Sequence, residues 1–333
     1  MEILIIKLGA LGDVLRTTSI MQGLKEKYPQ SSITWLTLEG NDAVLRNNNY
    51  ITLISLLNEQ SKDKLKKKKF DLIINLDEEE ESCEIATQCK ENGSSKLYGF
   101  YINENGVITP TASAKEYFNM SLLGEKPFND ELKKKNKKTY QKLIQEIIGL
   151  TSQKYDILYA LTTEQKEIAR NFKEKHHLTQ EKKIIGINTG SGKKWPSKRL
   201  PIEKTIELIE ELEKQINCKI ILFGGINETE RNRAILDKVS AQVIDSGCKN
   251  SLEEFSALLS VCDLIISTDT VALHFTAALR KKIIALVGPT STAEIELYGY
   301  GEKITPKADC LCCYKPDCKC MEDIATNEIV NKV

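Results

Sequence analysis

Asp263 to Thr290 reads DLIISTDTVALHFTAALRKKIIALVGPT. Leu264 to Ile266 is an apolar, β-branched run suited to a buried strand. Ser267, Thr268 and Asp269 follow as residues of the helix-capping type. Thr270 to Leu279 has helical character, and Ile283 to Val287 is a second strand stopped by Gly288-Pro289. A helix that begins where a parallel strand ends turns unpaired N–H groups and a partial positive charge toward the strand's carboxyl edge. A diphosphate fits such a place. Thr270 and His274 are four residues apart and share a helix face near that mouth. The plain alternative is an ordinary βαβ unit with a helix cap and one half-buried histidine.

The same alternation runs outward through the C-terminal half. Strands are predicted at Lys183 to Asn188, Lys219 to Phe223 and Gln242 to Ile244. Helices are predicted at Ile202 to Lys214, Glu228 to Val239 and Leu252 to Leu259. Strict strand–helix alternation implies a parallel sheet covered on both faces. The N-terminal half opens in the same way. Glu2 to Ile6 is a strand, Lys7 to Asp13 a turn, Val14 to Lys27 a helix stopped by Pro29, and Ile33 to Leu38 the next strand. Asp13 is thereby set at a helix start, where it is either a working carboxylate or simply a cap. Gly9 and Gly12 do not form GxGxxG, which disfavours a nicotinamide site. Further strands are expected at Ile51 to Leu56, Phe70 to Leu76 and Lys96 to Ile102. Asp77 to Glu81 reads as an acidic helix cap, Lys115 to Leu123 and Thr139 to Ile148 as helices, and Lys133 to Lys138 as a lysine-rich link. Near Thr151 to Gln180 the pattern changes, with a polar helix at Glu164 to Lys175.

The fold class expected is α/β with two Rossmann-like domains facing a central cleft. Residues 1–160 form the first and 161–309 the second, and 310–333 is a cysteine-rich C-terminal segment. A chain of 333 residues, 41% hydrophobic and 28% charged, can bury two such cores. Zero formal net charge gives no indication of a nucleic-acid partner. No apolar run approaches the roughly 18 residues of a membrane span. Met1 to Ile6 is too short for a signal peptide, so the expected location is cytoplasmic. The basic run Lys62 to Lys69 reads as a solvated helix face or as a patch for anionic lipid, which would make the protein peripheral at the inner face of the plasma membrane.

Ten cysteines are present, five of them between Cys310 and Cys320. The others are scattered, which is a reduced chain with one special cluster rather than a disulfide framework. Cys310, Cys313, Cys318 and Cys320 could supply four thiolates, with Cys312 a fifth. Packing cysteines, a structural zinc or iron site and a disulfide are the three readings open here.

Four loops end strands that would face the cleft. One carries Asp13. The second, Thr189-Gly190-Ser191-Gly192-Lys193-Lys194-Trp195-Pro196, is rich in glycine, hydroxyls and lysine and suits a phosphate. The third, Phe223 to Glu228, combines two glycines with a carboxylate able to hold two ribose hydroxyls. The fourth is Ser267 to His274.

These motifs resemble glycosyltransferase family 9, the group that includes lipopolysaccharide heptosyltransferases. The matching stretches are KLGALGDVLRTTSI (Lys7 to Ile20), NTGSGKKWP (Asn188 to Pro196), LFGGINETER (Leu222 to Arg231), STDTVALHFTAAL (Ser267 to Leu279), VGPT (Val287 to Thr290) and CLCCYKPDCKCMEDI (Cys310 to Ile324). The resemblance implies a GT-B architecture and an inverting transfer with no catalytic metal and no cofactor. The N-terminal domain would take a glycan or glycolipid acceptor, and the C-terminal domain a nucleotide-sugar donor, ADP-heptose above all. It implies Asp13 as general base and Lys193 as the cation on the donor's sugar or diphosphate. Glu228 would hold the ribose. Thr189, Ser191, Asp269, Thr270, Val271 and His274 would complete the donor site. Val271 stands where the family usually has glycine, and Ser19 where it usually has proline. The chemistry itself asks for a base on the acceptor hydroxyl and positive charge on the leaving diphosphate. No DxD-like pair or histidine cluster presents itself for Mg²⁺. An epimerase or hydrolase on the same scaffold, or a non-catalytic nucleotide-sugar-binding protein, are the rival readings.

Overall fold

The computed structural model describes every residue except Ser94, Ser152, Gln180, Lys193, Lys194 and Asp309. The chain divides into two units, Met1–Tyr159 and Ala160–Val333. Residues 310–333 belong to the second of them.

The first unit has strands β1 (Glu2–Ile6), β2 (Ser32–Thr37), β3 (Leu53–Leu56), β4 (Leu72–Asn75), β5 (Lys96–Ile102) and β6 (Ile108–Pro110). Their order is β3-β2-β1-β4-β5-β6. All neighbours are parallel except β5 and β6, which form an antiparallel edge. The central strand shows why this sheet forms. Ile3, Leu4, Ile5 and Ile6 are all fully buried, as a strand covered on both faces must be. One apolar face gathers Leu4, Ile6, Leu36 and Ile73 against Leu65, Phe70 and Ile85.

The second unit has strands β7 (Lys183–Asn188), β8 (Cys218–Phe223), β9 (Val243–Asp245), β10 (Leu264–Thr268), β11 (Lys282–Leu286) and β12 (Gly301–Ile304). Their order is β12-β11-β10-β7-β8-β9, parallel throughout. β7 tolerates no side chain at Gly186, where an added Cβ would lie 2.7 Å from Ile265 Cδ1 and 2.8 Å from Phe223. The C-terminal residues Met321, Ile324, Ile329 and Val330 are built into this unit's core beside Leu208 and Leu212.

Both sheets reverse direction once. The reversal falls between β1 and β4 in the first and between β7 and β10 in the second. Loops leaving the carboxyl ends of those strand pairs flank a crevice in each open α/β sheet, the usual place for a ligand.

Several local expectations change. The helix predicted over Val14 to Lys27 is broken into Leu11–Thr17, a 3₁₀ turn Thr18–Ile20, and Met21–Lys27. Thr17 and Thr18 donate their hydroxyls back to Asp13 O and Leu15 O at 2.6 Å each, a bond pattern that bends helices. The lysine-rich link is in part a helix, Phe128–Lys135, whose last turn carries Lys133, Lys134 and Lys135 where the dipole favours cations. The edge strands β6 and β12 are short, and β12 is polar (Gly301-Glu302-Lys303-Ile304) with two exposed residues, so periodicity did not announce them. Among the described residues no helix is long and apolar enough to cross a membrane. Lysines of the basic run are used locally: Lys62 pairs with Glu59 and Glu81 on helix faces, and Lys68 with Glu2 at 2.8 Å.

Candidate active site

In the first unit the β1 turn is held by a buried ion pair. Lys7 Nζ lies 2.8 Å from Asp77 Oδ1, and the two side chains are 6% and 9% exposed. Asp77 Oδ2 also accepts the N–H groups of Leu8 and Gly9. Asp77 is therefore no helix cap, whereas Glu80 and Glu81 of the expected acidic cap do occupy the first turn of the next helix. The following helix, Glu80–Glu91, starts at Glu79 without a side-chain cap bond. Burial alone would push the Lys7 ammonium down. Tyr140, Asp77 and Asp13 outweigh it and hold Lys7 above the ordinary lysine range. Tyr140 is itself raised, first by burial, and is neutral at pH 7, so the carboxylates are the charges that count there.

Asp13 sits on the far side of this turn. It occupies the third position of helix Leu11–Thr17, whose N-cap is Ala10. Its carboxylate does not cap the helix. Oδ1 accepts from Arg16 Nε at 2.9 Å and is 2.8 Å from the other guanidinium nitrogen. Arg16 in turn lies 3.7 Å above the Tyr140 ring, and Tyr140 Oη is 2.8 Å from Thr17 Oγ1. The Asp13 side chain remains 35% exposed, so the carboxylate is both oriented and reachable.

In the second unit the loops after β7 and β10 are laced together. Asn188 Nδ2 donates to Ser267 Oγ and Thr270 Oγ1, both at 3.2 Å, and lies 3.4 Å from Gly190 O. Thr268 Oγ1 reaches Gly190 O at 3.2 Å. The capping role expected of Ser267, Thr268 and Asp269 is thus not met, because their side chains point across the crevice instead of along the helix. Helix Val271–Ala278 has Thr270 as its N-cap with no side-chain cap bond. Val271 is its first residue and half-buried. His274 is buried within it. Asp269 Oδ2 is 2.8 Å from Lys198 Nζ and accepts from Thr290 Oγ1 at 3.0 Å.

Glu228 is 3% exposed. Its Oε1 is 2.8 Å from Arg199 Nη2, and its Oε2 accepts the Gly225 N–H at 3.1 Å. An added Cβ on Gly190 would stand 3.2 Å from that same Oε2, so the glycine keeps room for the carboxylate. Thr189 is buried, its hydroxyl spent on Phe223 O and Asn232, which makes it a brace of the loop and not a group turned outward. Ser191 is half-exposed at the loop's outer end. Lys193 and its neighbour Lys194 lie outside the described residues.

Sequence reasoning therefore named Glu228, Asp269 and Thr270 but missed the cations that hold them. Lys198 and Arg199 follow the Trp195-Pro196 turn. Arg231, which donates to Leu200 O, is lowered by burial first and then by Arg199. Each of these cations is matched by carboxylate: Lys198 by Asp269, Arg199 by Glu228, and Arg231 by the charges of Glu228 and Glu203. In the first unit Lys7, Arg16 and Tyr140 were likewise not singled out, and Asp77 was read only as a helix cap. Lys7 and Asp77 carry a sequence signal, as polar residues just past apolar strands; Arg16 and Tyr140, which lie in helices, carry none.

Two doubly wound sheets, the second with a hydroxyl-lined cradle at its reversal point, make up the architecture called GT-B. The family model described as glycosyltransferase family 9 (heptosyltransferase) matches residues 120–325, more than half the chain. The chain belongs to glycosyltransferase family 9. Lipopolysaccharide heptosyltransferase 1 of Campylobacter coli is 26% identical over 305 residues, covering 87% of this chain and 84% of that protein. Lipooligosaccharide heptosyltransferase 2 of Haemophilus influenzae is 29% identical over 172 residues, 47% of this chain and 49% of that one. Among solved structures, a family 9 glycosyltransferase from Veillonella parvula superposes with a TM-score of 0.79 at 19% identity, over 99% of this chain and 95% of that one. The ADP-heptose lipopolysaccharide heptosyltransferase II of E. coli gives 0.67 at 17% identity, over 100% and 97%. These structural likenesses establish the two-domain fold.

Proposed function

We propose that the protein transfers a heptose from ADP-heptose to a cell-envelope glycan such as the lipopolysaccharide core, with inversion and without a catalytic metal. The cradle at the β7–β10 reversal carries this reading. Asn188 fixes both of its loops, and Glu228 is clamped at its side. The relatives' names point the same way: the chain resembles lipopolysaccharide heptosyltransferases along most of its length, and a structural neighbour with a TM-score of 0.62, heptosyltransferase WaaC of E. coli, was solved with ADP.

In this account the second unit takes the donor and the first the acceptor. Asp13 removes the proton of the acceptor hydroxyl as its oxygen attacks the anomeric carbon. The bond from that carbon to the diphosphate breaks on the opposite face, and ADP departs with the electron pair. Charge gathering on the departing phosphate is met by Lys193, by the N–H groups at the start of Val271–Ala278 and by the Lys198 side. Fixed donors aimed at developing charge are usually the largest catalytic term. Arg16 orients Asp13, and Lys7 with Asp77 holds the turn that carries it. A peripheral contact with anionic lipid through the lysines of helix Glu59–Lys67 belongs to the same reading.

The direct test is a melting-temperature panel with ADP-, GDP-, UDP- and CMP-sugars. A ligand bound only by the folded chain stabilises it by about 2.7 kcal/mol at a hundred times its Kd. ADP and ADP-heptose are expected to raise the melting temperature and the others to leave it nearly unchanged. A shift confined to UDP- or GDP-sugars would refute the donor assignment.

Glu228→Gln separates binding from chemistry. A ribose contact exists in the ground and transition states alike, so its loss is expected to raise the donor KM about 10- to 100-fold with a small change in kcat. Collapse of kcat at constant KM would move Glu228 from the ribose to the reacting centre.

A further inference from the structure

The cysteines of this chain fall into two kinds. Cys83, Cys89 and Cys262 are buried in the apolar interior, and burial pushes the first two up to about 11. They are packing residues. Cys310, Cys313 and Cys318 are exposed or half-exposed, yet their three sulfurs all lie within 4.8 Å of one another. Cys310 Sγ and Cys318 Sγ are 3.4 Å apart, far from a disulfide bond. Cys320 stands next to them, buried against Gly288, where an added Cβ would meet its sulfur at 2.7 Å. It also interacts with Cys318. A tetrahedral tetrathiolate with metal–sulfur bonds of about 2.3 Å has its sulfurs about 3.8 Å apart. The 3.4 Å between Cys310 and Cys318 and the 4.8 Å limit on all three pairs bracket that spacing.

The backbone beside the thiols is held in an unusual conformation. Cys312 and Tyr314 hold φ of +60° and +52°, the left-handed region that side chains seldom enter and that persists only where the surroundings enforce it. Lys315 and Lys319 neighbour the cluster in sequence, where a site of four thiolates and one divalent ion would carry a net negative charge.

The geometry points to a single thiophilic divalent ion, zinc or iron(II), bound by Cys310, Cys313, Cys318 and Cys320, each giving up its proton on binding. The ion is structural. The segment it closes is bonded to loops of the cradle. Tyr314 donates its N–H to Pro289 O at 2.8 Å, and its hydroxyl accepts from Ser291 N at 3.1 Å. Its ring meets Trp195 edge-on at 5.9 Å, and Ser197 Oγ donates to Lys315 O at 2.9 Å. Trp195 and Ser197 belong to the loop that carries Lys198. The cysteine segment thus clamps the β7 and β11 loops, and the ion fixes the clamp.

Elemental analysis of the full chain purified without chelator is the test. About one zinc or iron per chain is expected, the metal present deciding between the two. In the double variant Cys310→Ser, Cys318→Ser the content is expected to fall at least about 10-fold. Because that variant could misfold, a second measurement uses the wild-type chain. It is stripped with chelator, reloaded with zinc alone, and each cysteine's alkylation is mapped. Protection gained at Cys310, Cys313, Cys318 and Cys320, with Cys218 and Cys248 unchanged, supports the site. Wild-type protein that never binds stoichiometric metal, or whose four clustered thiols alkylate equally with and without zinc, overturns it.

Discussion

Replacing Asp13 by asparagine is expected to lower sugar transfer by about 10²–10⁴-fold, the usual worth of a positioned general base. Donor affinity and melting temperature are expected to stay nearly unchanged. The geometry makes this substitution selective. Asp13 does not cap its helix, so no cap is lost. Its carboxylate is held by Arg16 on one oxygen, and an asparagine carbonyl can accept the same N–H groups. What the amide cannot do is take a proton from a hydroxyl at neutral pH. Transfer, donor binding and melting temperature are measured together on the one variant. Near-normal transfer would place the base elsewhere. Loss of transfer together with a large drop in melting temperature would mean that Asp13 acts by holding Arg16 and the turn.

The second large effect is on stability. Asp77→Leu leaves Lys7 charged in a site that is almost closed to water. It also strands the Leu8 and Gly9 N–H groups. Breaking a buried pair by removing one partner typically costs about 3–5 kcal/mol. Lys7→Met added to Asp77→Leu removes the orphaned charge, so it should recover part of that loss. Full recovery is not expected, because the two N–H groups still lack their acceptor and each unmade bond costs about 1–3 kcal/mol. The chain has two tryptophans, buried Trp35 in the first unit and Trp195 in the second. In a Trp195→Phe background the urea midpoint read from Trp35 reports the first unit alone. A lower midpoint at unchanged slope for the single variant, partly restored in the double, is the expected result. Equal stability of the single variant and the parent would show that Lys7 finds its compensation in Asp13 alone.

Strand–helix alternation was legible because buried parallel strands must be continuous apolar runs, and Leu264 to Ile266 or Glu2 to Ile6 can be little else. Glu228 was legible because a carboxylate beside two glycines past a strand end suits a pair of ribose hydroxyls, and Asp269 because the motif that carries it resembles the family's. The partners of these groups were not. Lys7 lies 70 residues from Asp77, and Lys198 lies 71 from Asp269. No local pattern couples such pairs; only the strand order brings them to one edge. The capping hydroxyls were misread for a related reason. Ser267 and Thr268 have the composition of a helix start, but at a sheet reversal the neighbouring loop competes for their bonds and takes them. The single long helix failed because Thr17 and Thr18 carry both helical neighbours and the hydroxyls that bend them. Cys320 could be seen in the sequence as a fourth thiol, but its burial against Gly288 could not.

The central claim is acceptor-dependent transfer from ADP-heptose, and one measurement addresses it most directly. ADP release is followed from ADP-heptose with and without a lipopolysaccharide-core acceptor, and the product's anomeric configuration is read by NMR. The account predicts ADP release only when acceptor is present, in step with a new glycosidic bond of inverted configuration. Release at the same rate without acceptor, or a product that retains the donor's configuration, would contradict it.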